Sequence, residues 1–392
     1  MKKALFILPR FSFGGTVFST LNMISFLSKG DINIYVLGMT HQGPVKQLYG
    51  GIQLLPENLF LSALSGSVKN ESNIFKKTAF IIVKAVDRLL NIFGVNLRLI
   101  VYKHVSRFIQ NKYKFDIVSS CQEGDSTYFA SYFTSEVKLA WCRTEYSLYK
   151  NQISKQLVDY EQKCYPLFNK IICVSQTTTN DFIKYFPDIK DKVIAIHNIQ
   201  NVENIRKSSL DPIEDERYID DEFIILSVGR ISPQKQFPAI PKIAYELKKD
   251  NVSFKWYIIG EGNDAGENDK LQQNIKDYHV EDHVICLGSK LNPYPYIKKA
   301  NLLVNTSLYE ACPRVVIEAK ILKTPVICAD FSSAKEFVTN DYDGYVDTID
   351  NLYLRIKRMI QDTGYYNTIK DNCNKHEIDN DAIFEKLSQL FA

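Results

Sequence analysis

Two cations in the second half of the 392-residue chain stand where a charged ligand could be bound. In "SVGRISPQK", Gly229 closes an apolar run, Arg230 follows at once, and Lys235 lies beyond a Ser-Pro turn. A guanidinium fork and a mobile ammonium at the carboxyl end of a strand suit a diphosphate group, whose negative charge both could neutralise. The alternative is two ordinary loop cations on a solvated edge, and this segment alone does not separate the two.

Two glutamates follow in "NLLVNTSLYEACPRVVIEAKILK", a pattern that predicts a strand, a tight loop and a helix. Glu310 falls in the loop, and Glu318 falls in the second turn of the helix. The first backbone N–H groups of the helix, near Arg314 and Val315, would face the loop, where phosphate is their natural ligand. Glu310 could then bind sugar hydroxyls and Glu318 a ribose. Equally, the two acids could be a helix cap and a surface carboxylate.

The elements that must position these residues follow from the alternation of short apolar runs with longer amphipathic stretches. This alternation predicts α/β domains with parallel, doubly wound sheets. Each half begins with a strand that leads into a loop rich in small residues, containing Gly14 and Gly15 in the first half and Gly229 in the second. Ligands of such sheets bind beside the carboxyl ends of the strands. The predicted divisions are an N-terminal domain over 1–200, a polar linker over 201–222, a C-terminal domain over 223–365, and a helical segment over 366–392 that returns to the N-terminal domain.

Composition excludes several other classes of protein. The formal charge of +3 is too small to indicate nucleic-acid binding by itself. The eight cysteines are scattered without a C-x-x-C pair, which argues against a zinc ribbon or a disulfide framework. The apolar start of "MKKALFILPRF" is shorter than a signal-peptide core, and no run is long enough to span a bilayer, so we expect a cytoplasmic protein. His279 and His283 are four apart, but no third ligand lies nearby, so surface histidines are favoured over a metal site.

Several motifs in a fixed order carry a resemblance to a known family. They are "GGTVFSTLNMISFL" near the N-terminus, then "SVGRISPQK", "IIGEGND" and the long segment from "VICLGSK" through "LYEACPRVVIEAKILKTPVICAD" to "KEFV". Together they resemble the family-4 retaining glycosyltransferases of the GT-B fold, also called glycosyl transferases group 1. The resemblance is strong over about 223–345, roughly a third of the chain, and looser over the N-terminal half.

The resemblance implies two Rossmann-like domains facing across a cleft, with the nucleotide-sugar donor in the C-terminal domain and the acceptor in the N-terminal one. It implies that Arg230 and Lys235 neutralise the donor diphosphate without a required metal or other cofactor, and that Glu310 contacts the donor sugar. A UDP-sugar is favoured over a GDP-sugar. The implied donor-binding set is Gly15, Gly229, Gly260, Gly288, Arg314, Val315 and Glu318, with Glu318 on the ribose and Gly15 reaching the phosphates across the cleft.

The chain departs from the family pattern at two places. Ala311 stands where the family usually has glycine after the loop glutamate, which matters only if that residue needs a positive φ. In "LAWCRTEYS", Arg143 and Glu145 replace a histidine and an aspartate that relatives often carry. Arg143 stays charged and cannot act as a base at neutral pH. It could bind a sugar hydroxyl, a sugar carboxylate or an acceptor phosphate, or it could be a structural arginine paired with Glu145.

The stretch 69–114 has ten Lys/Arg and only two acids, Glu71 and Asp87. Apolar residues such as Phe80, Val83 and Val86 alternate with the cations at roughly helical spacing. The pattern is typical of a helix lying on an anionic membrane surface, and equally of a helix packed on its own sheet with basic residues outside.

The chain is therefore predicted to be a retaining glycosyltransferase that moves a sugar from a nucleotide diphosphate donor to a saccharide or lipid-linked saccharide in surface polysaccharide biosynthesis. We expect it in the cytoplasm, with peripheral contact at the inner face of the membrane left open. Two alternatives remain: a non-catalytic nucleotide-sugar-binding subunit, and an enzyme of the same fold with another reaction, such as a nucleotide-sugar epimerase or a phosphorylase.

Overall fold

The computed structural model describes residues 1–12, 14–49, 51–219, 222–262, 265–375, 377–378 and 380–391. They form two units, each with its own parallel sheet. The first unit comprises residues 1–200 and 380–392, and the second comprises residues 201–379.

The sheet of the first unit has seven parallel strands in the described residues. Their order across the sheet is β3-β2-β1-β4-β5-β6-β7. The strands are β1 (Lys2–Leu8), β2 (Ile32–Gly38), β3 (Gln53–Leu54), β4 (Ile117–Ser120), β5 (Val137–Cys142), β6 (Lys170–Cys173) and β7 (Val193–Ala195).

Helices connect these strands and pack on the sheet. The helices are α1 (Gly15–Leu27), α2 (Leu59–Ser65), α3 (Ile74–Ile92), α4 (Leu97–Tyr113), α5 (Asp125–Ser131), α6 (Tyr146–Tyr149), α7 (Lys155–Cys164) and α8 (Gln176–Tyr185). Short 3-10 turns lie at Pro44–Tyr49, Lys150–Gln152, Tyr165–Leu167 and Pro187–Lys192. Within the part of the chain that the structure describes, none of the helices combines the length and apolar character needed to cross a bilayer.

The second unit repeats this architecture with a six-stranded parallel sheet, counted over its described residues. Its strand order is β10-β9-β8-β11-β12-β13. The strands are β8 (Ile224–Val228), β9 (Lys255–Ile259), β10 (Val284–Gly288), β11 (Leu302–Asn305), β12 (Val326–Ala329) and β13 (Gly344–Asp347). The helices are α9 (Val202–Ser208), α10 (Ile240–Lys249), α11 (Ala265–Asp277), α12 (Tyr294–Lys299), α13 (Arg314–Ile321), α14 (Ala334–Phe337), α15 (Leu352–Gln361) and α16 (Thr363–Lys375), with 3-10 turns at Phe237–Ala239 and Ile349–Asn351.

The central strands are apolar along their whole length because helices cover both faces of a parallel sheet. Every residue of β4, β11 and β12 is buried, and so are five of the seven residues of β1. The predicted α/β class, with two doubly wound sheets, is confirmed.

The segment predicted as a linker, 201–222, contains helix α9 and is part of the second unit. The side chain of Asn201 caps this helix, and Ile205 is buried in a core cluster of the second unit. Asn292 donates hydrogen bonds to the backbone of Ser208 and to Asp211. The segment is polar because only one side of a short surface helix faces the core.

The predicted C-terminal segment, 366–392, divides between the two units. Most of it up to Lys375 belongs to α16, whose Ile369 and Cys373 are buried in the core of the second unit. A final helix, α17 (Asn380–Phe391), belongs to the first unit, where the ring of Phe391 stacks on that of Phe6.

Candidate active site

In the second sheet, the order in which strands are added reverses between β8 and β11. These strands are parallel neighbours, yet β9 and β10 follow β8 on one side while β12 and β13 follow β11 on the other. Loops after such strands diverge and leave room for a ligand at the carboxyl edge of the sheet. The two loops here are residues 229–236 and 306–313, which contain the predicted cations and Glu310.

Hydrogen bonds hold these two loops together. The N–H of Leu308 donates to the carbonyl of Gln234 over 2.8 Å, and the Gln234 amide donates to the carbonyl of Tyr309 over 2.8 Å. The hydroxyl of Thr306 donates to the carbonyl of Lys235 over 2.7 Å. The backbone on both sides of Lys235 is therefore fixed against the β11 loop.

Lys235 and Glu310 meet across this loop pair. The Nζ of Lys235 contacts the Oε1 of Glu310, and the hydroxyl of Ser307 donates to the same oxygen over 2.9 Å. The hydroxyl of Ser333 donates to the Glu310 carbonyl over 2.6 Å. The side chains of Lys235 and Glu310 keep 19% and 12% of their surface exposed, so both remain accessible. Within the described residues no donor reaches Oε2 of Glu310, which leaves that oxygen as an acceptor for a ligand.

Arg230 lies in the same loop as Lys235 and is exposed. Its guanidinium makes no hydrogen bond or ion pair with any residue in the described ranges. The buried hydroxyl of Ser232, two positions later, likewise has no hydrogen-bond partner among those residues. The loop therefore presents a guanidinium in addition to the paired ammonium, a donor set that suits an anion.

The predicted glycines allow the loops after β8, β9 and β10 to approach one another. The N–H of Gly229 donates to the carbonyl of Ile259, and the N–H of Gly260 donates to that of Gly288, each over 3.0 Å. A Cβ on Gly260 would lie 1.8 Å from the carbonyl oxygen of Gly229, so only glycine fits there. Gly288 has a φ of +73°, a conformation that favours glycine. The structure thus gives these glycines a packing role at the edge of the site.

Glu318 is buried on α13 and bound by two side chains. The Nε of Arg314 donates to its Oε1 over 2.7 Å, and the hydroxyl of Tyr294 donates to the same oxygen over 3.3 Å. Burial, together with the charge of Glu318, raises the pKa of Tyr294, so this phenol stays a donor at neutral pH. Helix α13 begins at Arg314, so its first N–H groups, including that of Val315, have no acceptor inside the helix.

In the first unit, α1 begins at Gly15 with Gly14 as its cap, and both glycines are exposed. A Cβ on either would meet nothing within 4 Å, so packing does not require glycine at these positions. Open backbone at a helix N-terminus is the geometry that a phosphate prefers. The proposed contact of Gly15 with donor phosphates stays a prediction.

Arg143 lies just past β5 and joins three other segments of the first unit. Its Nε donates to the carbonyl of Cys121 over 2.6 Å, and one terminal nitrogen donates to Ser19 and to Asn198, each over 2.7 Å. Its backbone N–H donates to the carboxylate of Glu123 over 2.9 Å. These contacts join the loops after β4 and β7 to helix α1, as a positioning arginine would.

The guanidinium of Arg143 also stacks on Trp141, 4.7 Å from the ring centroid. Glu145 precedes helix α6, and its carbonyl accepts from the N–H groups of Leu148 and Tyr149. Whether Arg143 and Glu145 also contact a sugar or an acceptor stays a prediction.

Several residues of the site were not singled out from the sequence. Ser307 and Ser333 orient Glu310, Tyr294 binds Glu318, and Glu123 anchors Arg143. Ser307 follows a strand in "NTSLYE", and a polar residue at a strand's carboxyl end is a usable signal. Glu123 follows β4 in the same way. Tyr294 has no such signal, because its role depends on Glu318, which lies on a different helix.

The two histidines of the sequence analysis lie apart from these loops. His283 packs its ring on Phe254, 4.9 Å between centroids, with Nδ1 3.2 Å from the Phe254 carbonyl. His279 is exposed, with a φ of +51°. Within the described ranges, no group of three or more His, Cys, Asp or Glu side chains is arranged to hold a metal ion.

Residues 212–376 match the family described as "Glycosyl transferases group 1". This segment contains the loops of Lys235 and Glu310 and the helix of Glu318. The resemblance to glycosyl transferases group 1 is thereby confirmed for this part of the chain.

Two curated relatives are similar over part of their length. One is the N-acetylgalactosamine-N,N'-diacetylbacillosaminyl-diphospho-undecaprenol 4-alpha-N-acetylgalactosaminyltransferase of Campylobacter jejuni, 30% identical over 50% of this chain and 52% of the relative. The other is the poly(ribitol-phosphate) alpha-N-acetylglucosaminyltransferase of Staphylococcus aureus, 25% identical over 49% of this chain and 36% of the relative. The matches thus span about half the length of these relatives or less.

Among solved structures, HepE from Anabaena in complex with UDP has a similar fold over the whole chain. The TM-score is 0.76 at 16% identity, with coverage of 100% of this chain and 99% of HepE. TarM from S. aureus, in a complex that includes UDP, gives a TM-score of 0.72 at 15% identity, covering both chains completely. The fold is that of the GT-B glycosyltransferases, as predicted.

Proposed function

We propose that this chain is a retaining glycosyltransferase that moves a sugar from a nucleotide diphosphate donor to a saccharide or lipid-linked saccharide acceptor in the synthesis of a surface polysaccharide. The observation that carries the proposal is the Lys235–Glu310 pair at the point where the second sheet reverses its strand order. This pair lies inside the segment that matches the glycosyltransferase family.

The donor diphosphate is assigned to the loop after β8. Lys235 and the exposed Arg230 supply two positive charges there, and they stabilise the charge that develops on the departing diphosphate. The free Oε2 of Glu310 accepts a hydrogen bond from a donor-sugar hydroxyl, while Oε1 stays with Lys235. Glu318, held by Arg314 and Tyr294, binds the ribose hydroxyls.

A UDP-sugar is the favoured donor, and no metal is required because the two cations neutralise the diphosphate. The choice of uridine as the nucleoside of the donor is supported by the solved complexes of HepE and TarM with UDP. The acceptor is a growing saccharide, and a lipid-linked one is favoured by the diphospho-undecaprenol named for the Campylobacter relative.

The reaction is proposed to retain the configuration at the anomeric carbon. Oε1 of Glu310 accepts hydrogen bonds from Lys235 and Ser307. A carboxylate held in this way is better suited to binding sugar hydroxyls than to nucleophilic attack. The incoming hydroxyl therefore attacks on the face from which the diphosphate leaves, and the diphosphate assists its deprotonation. The protein contributes electrostatic stabilisation and positioning.

The test begins by screening UDP-, GDP- and ADP-sugars for a rise in melting temperature, since a ligand that binds only the folded state stabilises it. Release of nucleoside diphosphate then shows whether a reaction takes place. NMR of the product gives the configuration at its anomeric carbon. An α-configured product from an α-configured donor supports the proposal, and an inverted product contradicts the retaining part. Binding of a nucleotide sugar without release or transfer from any donor would identify a non-catalytic binding subunit. Conversion of the sugar nucleotide without release would identify an epimerase.

A further inference from the structure

Helix α3 presents a continuous apolar surface to solvent. Successive residues of an α-helix are rotated by about 100°, so its exposed apolar side chains fall within an arc of about 140°. We call this arc the α3 apolar face, and its main members are Phe75, Ile81, Ile82, Val86, Leu89 and Ile92. Phe75, Ile82 and Leu89 expose 83%, 57% and 56% of their surfaces. Contiguous exposed apolar surface of this kind marks an interaction site.

Helix α3 is packed on the first unit, so its exposed apolar side chains are not the result of a detached helix. Its opposite side packs inward: Phe80 is fully buried, and Val83 contacts the main core cluster of that unit. Near its start, Lys76 forms an ion pair with Glu57 over 2.6 Å. The helix is therefore held with one apolar side inward and a second apolar side outward. The sequence left a packed helix and a surface-binding helix as alternatives, and α3 has the features of both.

Cations border the α3 apolar face. By the same rotation, Lys77, Lys84 and Arg88 lie along one edge of the arc, between the exposed and the buried sides. The surrounding stretch 69–114 carries ten Lys/Arg and two acids, a net charge of +8, whereas the whole chain carries only +3. The remainder of the chain is thus net negative, at −5, and the positive charge is concentrated around α3 and α4.

We propose that the α3 apolar face docks on an anionic lipid bilayer. Apolar side chains enter the boundary between headgroups and acyl chains, while Lys77, Lys84 and Arg88 contact anionic headgroups. A second copy of the chain is a poorer fit, because a two-fold contact through α3 would bring the same row of cations on each copy close together. The proposal concerns binding alone and does not depend on sugar transfer.

The test is co-sedimentation of the full chain with vesicles of phosphatidylcholine alone and of phosphatidylcholine mixed with phosphatidylglycerol. The chain should sediment with the mixed vesicles and remain in solution with the neutral ones. Lys77→Gln/Lys84→Gln/Arg88→Gln should weaken binding to the mixed vesicles on the order of 100-fold, since each cation near an anionic surface contributes roughly fivefold. Phe75→Ser/Ile82→Ser/Leu89→Ser should weaken it at least about tenfold through lost apolar insertion.

A matched control replaces three exposed leucines of the second unit, Leu210→Ser/Leu291→Ser/Leu354→Ser. Binding to the mixed vesicles should be unchanged in this variant. Circular dichroism and melting temperature verify that each variant is folded, and nucleoside diphosphate release should be unchanged in vesicle-free assays. Equal sedimentation of the wild type and the α3 variants would overturn the proposal. The proposal would also be overturned if the wild type were a dimer that dissociates only in the Phe75→Ser/Ile82→Ser/Leu89→Ser variant, while vesicle binding is unaffected.

Discussion

Lys235 and Glu310 are 75 positions apart in the chain, yet they form an ion pair beside the carboxyl ends of two neighbouring strands. Each side chain keeps the other oriented, and Ser307 adds a hydrogen bond to the shared oxygen of Glu310. Removing either partner leaves the other with an unpaired charge in a largely buried place, so the two act as one unit.

Glu310→Gln and Lys235→Ala should each lower kcat for transfer by about 100-fold or more, the usual effect of removing a group that stabilises developing charge or positions the sugar. The double variant should cost little more than either single change, because groups that act together are not additive. Steady-state release of nucleoside diphosphate measures all three.

Lys242→Ala is the matched control for this pair. Lys242 lies 3.5 Å from Asp350 in an ion pair of the same unit, but both side chains are largely exposed. Its kcat should match that of the wild type, because exposed pairs contribute little. Near-normal activity in both site variants would remove the proposed site from consideration.

Gly260→Ala should destabilise the second unit by about 1–3 kcal/mol, because the new methyl group would overlap the carbonyl oxygen of Gly229. Thermal or denaturant unfolding measures the change. Gly30→Ala is a suitable comparison, since its Cβ would meet only the Leu27 carbonyl oxygen at 3.6 Å, an ordinary contact. Equal stability of the two variants would show that the loops after β8 and β9 can separate at no cost.

Arg143→Lys should lower the melting temperature of the first unit even though the positive charge is kept. Lysine cannot reach Cys121, Ser19 and Asn198 together, and each lost hydrogen bond of a charged group is worth about 1.5–3 kcal/mol. A purely positioning role predicts reduced stability with the KM for donor unchanged. A variant that is as stable as the wild type but has lost acceptor binding would instead assign Arg143 to the acceptor.

Glu161 is fully buried in the first unit and should make stability depend on pH. The hydroxyl of Tyr128 donates to its Oε1 over 2.7 Å, and that of Tyr146 donates to its Oε2 over 2.8 Å. Burial raises the pKa of Glu161 above its ordinary value, although the tyrosine hydrogen bonds act in the opposite direction. The folded state therefore keeps this proton at pH values where the unfolded chain has released it.

The stabilising effect of the Glu161 proton is complete below the ordinary pKa of about 4.5 and is lost as the pH rises through the higher pKa of the folded state. Glu161→Gln cannot ionise, so its melting temperature should rise relative to that of the wild type as the pH increases through this window. The exposed Glu136→Gln serves as the comparison and should follow the wild type. Parallel curves for wild type and Glu161→Gln would contradict the assignment.

The strands of both sheets were predictable because a parallel strand covered on both faces must be apolar throughout. "VKLAWC" corresponds to β5 residue for residue, and "KIICVS" contains β6. Boundaries in polar segments were less predictable. The stretch 201–222 was interpreted as a linker because it is polar, and one buried apolar side chain, Ile205, is too weak a signal for a helix that belongs to a domain.

The loop positions of Lys235 and Glu310 and the helix position of Glu318 were predictable from local order, since strand ends and helix starts can be located within one segment. Their roles in donor binding come from the family resemblance and remain predictions. The hydrogen-bond partners Tyr294 and Ser333 were not predicted, because they belong to other segments of the fold. Helix α3 shows the same limit. Periodicity indicated an amphipathic helix, but both of its sides carry apolar residues, so only the packing of Phe80 determines which side is left exposed.

Patterns within a few residues were sufficient to predict the α/β class, the two sheets and the loops in which the charged residues lie. The three-dimensional fold was needed to show that Lys235 pairs with Glu310, that Arg143 joins three segments, and that an apolar face of α3 remains in solvent. Such contacts depend on the order of strands in the sheet, which brings distant residues together and which no local pattern encodes.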